Sequence, residues 1–100
     1  MLPLRELHPC VPGITNLIQT YRWNRRLIRE RGLLMGREFK GKGVHVALGP
    51  MMNMGRVPQG GRNWEGFGAD PFLAGEASYE TILGLQAGGT QACAKHLVEK

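Results

Sequence analysis

Apolar positions along the chain fall into two helical stretches, and each is followed by a short run of strand character. Before the first of them, residues 1–22 hold Pro3, Pro9 and Pro12, show no period and read as irregular chain. From Asn24 onward, Leu27, Ile28, Leu34, Met35 and Phe39 recur at spacings that share one helical face, with Arg25, Arg26, Arg29, Glu30, Arg37 and Glu38 elsewhere. Asn24 suits the N-cap, and Gly41 and Gly43 stop the helix. Gly32 and Gly36 lie inside it, where glycine weakens a helix, and they imply close packing against a neighbour. Val44-His45-Val46-Ala47-Leu48 is β-branched, ends at Gly49-Pro50 and predicts a buried strand. Helical spacing resumes only over residues 75–87, with Ala77, Ile82, Leu83 and Leu85 facing inward, until Gly88-Gly89 ends it. Thr90-Gln91-Ala92-Cys93-Ala94 then predicts a second strand, with Lys95 and His96 at its C-terminal end.

The order helix, strand, long loop, helix, strand is that of βα units, so the fold class is α/β. Strands joined through a helix are expected to lie parallel, with a right-handed crossover. Such folds place ligand-handling residues at the C-terminal ends of strands and in the loops that follow. Arg62 lies in the loop after the first strand and Lys95-His96 follow the second, so the three are expected to meet on one face of the sheet.

The loop itself, residues 49–74, carries the densest chemistry. Its word Gly60-Gly61-Arg62-Asn63-Trp64-Glu65-Gly66-Phe67-Gly68-Ala69-Asp70-Pro71 has too many glycines for a helix or strand, and too many aromatic and charged side chains for a flexible linker. Long ordered loops of this kind are usually binding loops on a rigid scaffold. Trp64 and Phe67 are expected to pack, and Arg62 to reach a ligand.

Composition changes this picture little. One hundred residues suit one small domain, and an apolar fraction of 42% argues against disorder over most of the length. The net charge of +5 is concentrated between Arg22 and Lys42, which reads as a solvated helix face, so no nucleic-acid partner is expected. Cys10 and Cys93 match no metal spacing; they could pair, but both are read as small free hydrophobes. No apolar run approaches a membrane span, and the start of the chain has no signal-peptide core. His8 and His45 lack a partner set for metal, and neither metal nor cofactor is expected.

Several words together carry a family resemblance. Gly41-Lys42-Gly43-Val44, Leu48-Gly49-Pro50, Gly55-Arg56, the Gly-Gly-Arg-Asn-Trp-Glu-Gly-Phe word at 60–67, Asp70-Pro71 and Ala92-Cys93-Ala94-Lys95-His96 resemble glycoside hydrolase family 3. More narrowly, residues 23–96 look like part of the N-terminal domain of fungal-type β-glucosidases, leaving residues 1–22 and 97–100 as divergent ends. The resemblance implies a (β/α)8 TIM-like barrel, of which this chain holds about two βα units and not a complete barrel. It implies retaining hydrolysis of terminal β-D-glucosyl residues, an extracellular setting and a β-glucoside or oligosaccharide substrate. It also implies that Arg62, Lys95 and His96 bind the hydroxyls of the non-reducing-end glucose. The family's nucleophilic aspartate and acid/base glutamate match no position here, so no catalytic residue is assigned. The remainder of the barrel and a second domain are expected to be needed for activity.

Other signals are weighed against plainer readings. Retaining hydrolysis needs two carboxyl groups roughly 5 Å apart; Glu65 is instead expected to tie down the loop, and Asp70-Pro71 to make a turn. Gly36 to Gly43 nearly spells a phosphate loop, but Gly43 replaces the required Ser/Thr and a helix precedes where a strand should. Cys93 near Lys95-His96 is read as a buried packing residue rather than a nucleophile, and Met51, Met52 and Met54 as core padding. Three functional readings follow: a β-glucosidase piece inactive alone, a non-catalytic sugar-binding or interaction fragment, and, last, a basic nucleic-acid module. Two strands cannot close a barrel, so the lone chain is expected to be marginally stable.

Overall fold

The computed structural model of the chain describes residues 23–97. Helix α1 (Arg25–Gly41) opens on Asn24, whose side-chain oxygen accepts from the Leu27 N–H at 3.2 Å. Strand β1 (Val46–Ala47) follows, then a long loop containing a 3-10 turn (Asn63–Glu65). Helix α2 (Pro71–Ala87) leads into strand β2 (Gln91–Ala92). The two strands pair in parallel, Val46 opposite Gln91 and Ala47 opposite Ala92. Among the described residues this makes an α/β arrangement of two helices and a two-stranded sheet, with no closed barrel.

The helices meet backbone to backbone. Gly32 and Gly36 of α1 face Gly84 and Gly88, at and just beyond the last turn of α2. A Cβ on Gly32 would stand 2.8 Å from the Thr81 carbonyl oxygen, and one on Gly88 2.7 Å from the Leu33 carbonyl oxygen. Only hydrogen fits in that seam, which is the close packing that the two internal glycines of α1 predicted. The apolar face read for α1 is corrected accordingly. Ile28 is buried, but its buried neighbours are Arg31, Gly32 and Gly36, while Leu34 is exposed and Leu27, Met35 and Phe39 only half-buried. Bulky residues flank the contact because the contact itself needs none.

Polar ties lock the same interface. Thr90 Oγ1 donates to the Gly36 carbonyl at 2.8 Å, joining the entry of β2 to α1. Arg29 Nε donates to Glu80 Oε2 at 2.6 Å, with Glu80 almost wholly buried. Toward the other end, Ile28, Phe67, Ala74 and Ala77 form an apolar cluster that fixes the loop to both helices.

Three boundaries move from the sequence expectation. Helix α2 begins at Pro71 rather than at residue 75, because Asp70 is an N-cap and not a turn residue. Its carboxylate accepts from the Phe72 and Leu73 N–H groups at 3.4 and 3.1 Å, and Pro71 occupies the first turn, where its missing N–H is harmless. Strand β1 is two residues long and alternates: Ala47 is buried at 5% exposure, while Val46 and Leu48 are 43% and 74% exposed. A continuously buried strand needs cover on both faces, and among the described residues this two-stranded sheet has it on one. Strand β2 likewise shortens to Gln91–Ala92, and Cys93 just beyond it is exposed, not buried, for the same reason. Cys10 and residues 1–22 lie outside the described residues.

Candidate functional site

The chain does not separate after the two strands end. Cys93 N–H donates to the Ala47 and Gly49 carbonyls at 3.0 and 3.1 Å. Farther on, Lys95 N–H donates to Pro50 at 2.9 Å and Met52 N–H to Lys95 at 2.8 Å, which makes a parallel bridge between Met51 and Lys95. Lys95 and His96 are therefore carried past the sheet's C-terminal edge alongside residues 51–53. Met51 is buried under this bridge, whereas Met52 is 43% exposed and Met54 half-buried, so only Met51 is core.

Asn53 holds the second of the two. Its Oδ1 accepts from the His96 backbone N–H at 2.6 Å and lies 3.3 Å from the ring Nδ1, while its Nδ2 donates to the His96 carbonyl at 3.3 Å. An amide oxygen next to Nδ1 favours the ring tautomer with the proton on that nitrogen. Sequence reading passed over Asn53. Its one visible signal is a polar residue set among methionines, in a segment otherwise suited to padding.

The glycine-rich word folds around its 3-10 turn. Gly55 N–H donates to the Gly68 carbonyl at 3.1 Å, closing the loop, and Asn63 Nδ2 donates to the Val57 carbonyl at 2.6 Å. Phe67 is buried at 3% exposure and anchors the loop, while Trp64 stays 44% exposed beside the site, so only one of the two expected anchors is buried. The turn brings residues three apart onto one side. Arg62 Nε donates to Glu65 Oε1 and Nη2 to Oε2, the latter at 3.0 Å, in a two-pronged contact. From thirty residues downstream, Lys95 Nζ donates to the same Oε2 at 2.5 Å.

Glu65 thus joins the loop to the segment after β2. The Arg62 contact holds its carboxyl at about 2, below the ordinary 4.5, with Lys95 adding to the effect and partial burial opposing it. The same contact raises the Arg62 guanidinium above its ordinary value. Glu65 is ionised throughout the neutral range and committed to two cations, and Asp70 is committed to capping α2. Ionised in that range, Glu65 is not a proton donor for bond cleavage, which requires a carboxyl group protonated near the working pH.

Of the three residues singled out from sequence, the fold brings Arg62 and Lys95 together on one carboxylate. His96 follows Lys95 directly and is oriented by Asn53. What the group offers is a cluster of N–H donors at the C-terminal edge of a parallel sheet. Among the described residues no three His, Cys, Asp or Glu side chains gather as a metal site, and no helix is long and apolar enough to cross a membrane.

Known proteins share this arrangement of chain. The family model of the glycosyl hydrolase family 3 N-terminal domain matches residues 4–99. The chain is 58% identical over 77 residues to probable β-glucosidase G of Aspergillus flavus, covering 76% of this chain and 9% of that protein. It is 60% identical over 77 residues to probable β-glucosidase E of Aspergillus fumigatus, covering 76% of this chain and 8% of that protein. The chain therefore spans about a tenth of the length of the curated relatives it matches. Among solved structures, the β-D-glucoside glucohydrolase of Trichoderma reesei superposes with a TM-score of 0.77 at 52% identity, over 86% of this chain and 12% of that one. β-Glucosidase 3B of Thermotoga neapolitana, solved in complex with glucose, superposes with a TM-score of 0.79 at 42% identity, over 84% of this chain and 12% of that one. On the match across residues 4–99, with these relatives beside it, the chain belongs to glycosyl hydrolase family 3, within its N-terminal domain.

Proposed function

We propose that this chain forms part of the glucose-binding half of a β-glucosidase-type retaining glycoside hydrolase, one that removes terminal non-reducing β-D-glucosyl residues outside the cell. Arg62, Lys95 and His96 are its substrate-binding residues. The two βα units are a portion of a (β/α)8 barrel, and the hundred residues hold sugar without cleaving it. The observation that carries this reading is the meeting of Arg62 and Lys95 on Glu65, at the edge where parallel α/β sheets bind ligands. A guanidinium and an ammonium are well suited to hold neighbouring ring hydroxyls, because the first presents its donors in a rigid fork and the second adds three that rotate to fit.

Titration of the chain with glucose or gluconolactone, followed by tryptophan fluorescence, tests it. Saturable quenching or enhancement is expected, and Arg62→Ala should weaken binding by about ten- to a hundredfold, the range for a hydrogen bond from a charged group. Neither protein should release the aryl group from an aryl β-glucoside. Absence of a response in the parent chain removes the sugar-binding reading. Turnover by pure parent chain that is lost in Arg62→Ala removes the non-catalytic one.

A further inference from the structure

Glu65 stands where two separately built parts of the molecule meet. Arg62 reaches it from inside the same turn, and Lys95 from the segment beyond β2. We infer that Glu65 is a positioning residue that also sets ligand class: its carboxylate fixes the guanidinium and the ammonium relative to each other, and cancels one of their two charges, so that the site takes a neutral polyol in preference to an anion. The inference rests on the sugar-binding reading above and deepens it.

Donor counting supports the first half. A guanidinium has five N–H groups, and Arg62 gives one from Nε and one from Nη2 to Glu65, leaving three. An ammonium has three, and Lys95 gives one to Oε2, leaving two. The remaining groups belong to two side chains tied to one carboxylate, so their mutual placement is restricted before any ligand arrives. A ligand then loses less entropy on binding than it would in ordering two loose side chains itself. The Glu65 side chain is 14% accessible and that of Lys95 19%, so this pairing is shielded from water more than a surface ion pair would be.

Charge supports the second half. Two cations side by side suit a phosphate or sulfate, because both ligand types are rich in acceptor oxygens and carry negative charge. With Glu65 ionised throughout the neutral range, the trio carries a single net positive charge. An anion loses much of its attraction, while a hydroxyl oxygen, which needs donors rather than charge, loses little. A side chain that merely stapled the loop would affect both ligands alike. A selector affects them in opposite directions.

The experiment compares glucose with inorganic phosphate on the full hundred-residue chain, using the parent protein, Glu65→Gln and Glu65→Asp, with far-UV circular dichroism to establish folding. Glu65→Gln keeps the shape but removes the charge; it should weaken glucose at least tenfold and tighten phosphate at least threefold. Glu65→Asp keeps the charge but shortens the reach; it should weaken glucose and leave phosphate unchanged. Unchanged glucose affinity in either folded variant overturns the positioning role, and a parallel loss of both ligands in Glu65→Gln overturns the selection role. If Glu65→Gln does not fold, the Glu65→Asp result decides the positioning role, and phosphate binding by the parent chain as tight as glucose binding overturns the selection role. A parent chain silent toward glucose counts against the sugar-binding reading itself, which is a different failure from a parent chain that binds glucose and is indifferent to residue 65.

Discussion

The helix seam and the loop over the sheet edge are both rich in glycine, yet they are held by opposite means. In the seam, Gly32, Gly36, Gly84 and Gly88 work by what they lack, since a Cβ at any of them would run into the backbone of the other helix. In the loop, the glycines give the chain room to turn, and the holding is done by side chains: Glu65 on Arg62 and Lys95, Asn53 on His96. Packing of backbone on backbone is all-or-none and leaves no room for adjustment. A network of charged side chains can be loosened one contact at a time. The helix packing and the proposed recognition site therefore sit in different places in this molecule and are open to separate attack.

The largest effect is expected in the seam. Gly84→Ala places a methyl against the Arg29 carbonyl and 2.7 Å from the Leu33 nitrogen, both main-chain atoms that cannot rotate aside. A loss of about 3 kcal/mol is expected, at the upper end for overpacking, and urea unfolding of the parent and variant measures it. Glucose binding should fall only as far as the folded fraction does. Next comes Asn53→Ala, which removes the acceptor of the His96 N–H and the partner of its ring nitrogen. About 2 kcal/mol is expected for the unmet backbone group, together with changed His96 ring signals in the NMR spectrum. The helical signal should stay intact, which separates this change from the one in the seam. Asp70→Ala removes the cap of α2 and should cost about 1 kcal/mol, read as a lower melting temperature with no change in ligand preference.

Acidity gives the smallest effect near neutral pH and the cleanest division between the two regions. The folded value for Glu65, about 2, lies below its ordinary 4.5. Its contribution is therefore complete above pH 4.5 and lost as the pH falls from there toward 2. The gap in melting temperature between the parent chain and Glu65→Gln should be level from pH 5 to 7 and close only inside that acid window.

Much of this was legible beforehand, and the residues show why. Asn24, Gly41 and the parallel order of elements follow from local preference and connectivity, which act over a few residues at a time. Gly32 and Gly36 announced a close neighbour because nothing in a lone helix accounts for them. The true inward face of α1 was hidden for the same reason: a contact made by backbone leaves no apolar stripe to read. Asp70-Pro71 was ambiguous, since the same pair begins a turn or caps a helix, and only the continuation into α2 decides. Trp64 and Phe67 look alike in sequence, and their different burial depends on which of them meets Ile28, Ala74 and Ala77.

By itself the amino-acid sequence determined the alternation of helix and strand, the family, and the residue types available to grip a ligand. Spacing, capping and glycine placement are local properties that a linear string records in full. Tertiary structure alone decided that Glu65 belongs to Arg62 and Lys95 at once, and that Asn53 belongs to His96. Those partners lie thirty and forty-three positions apart, a separation that is bridged only when two parallel segments run side by side past the sheet.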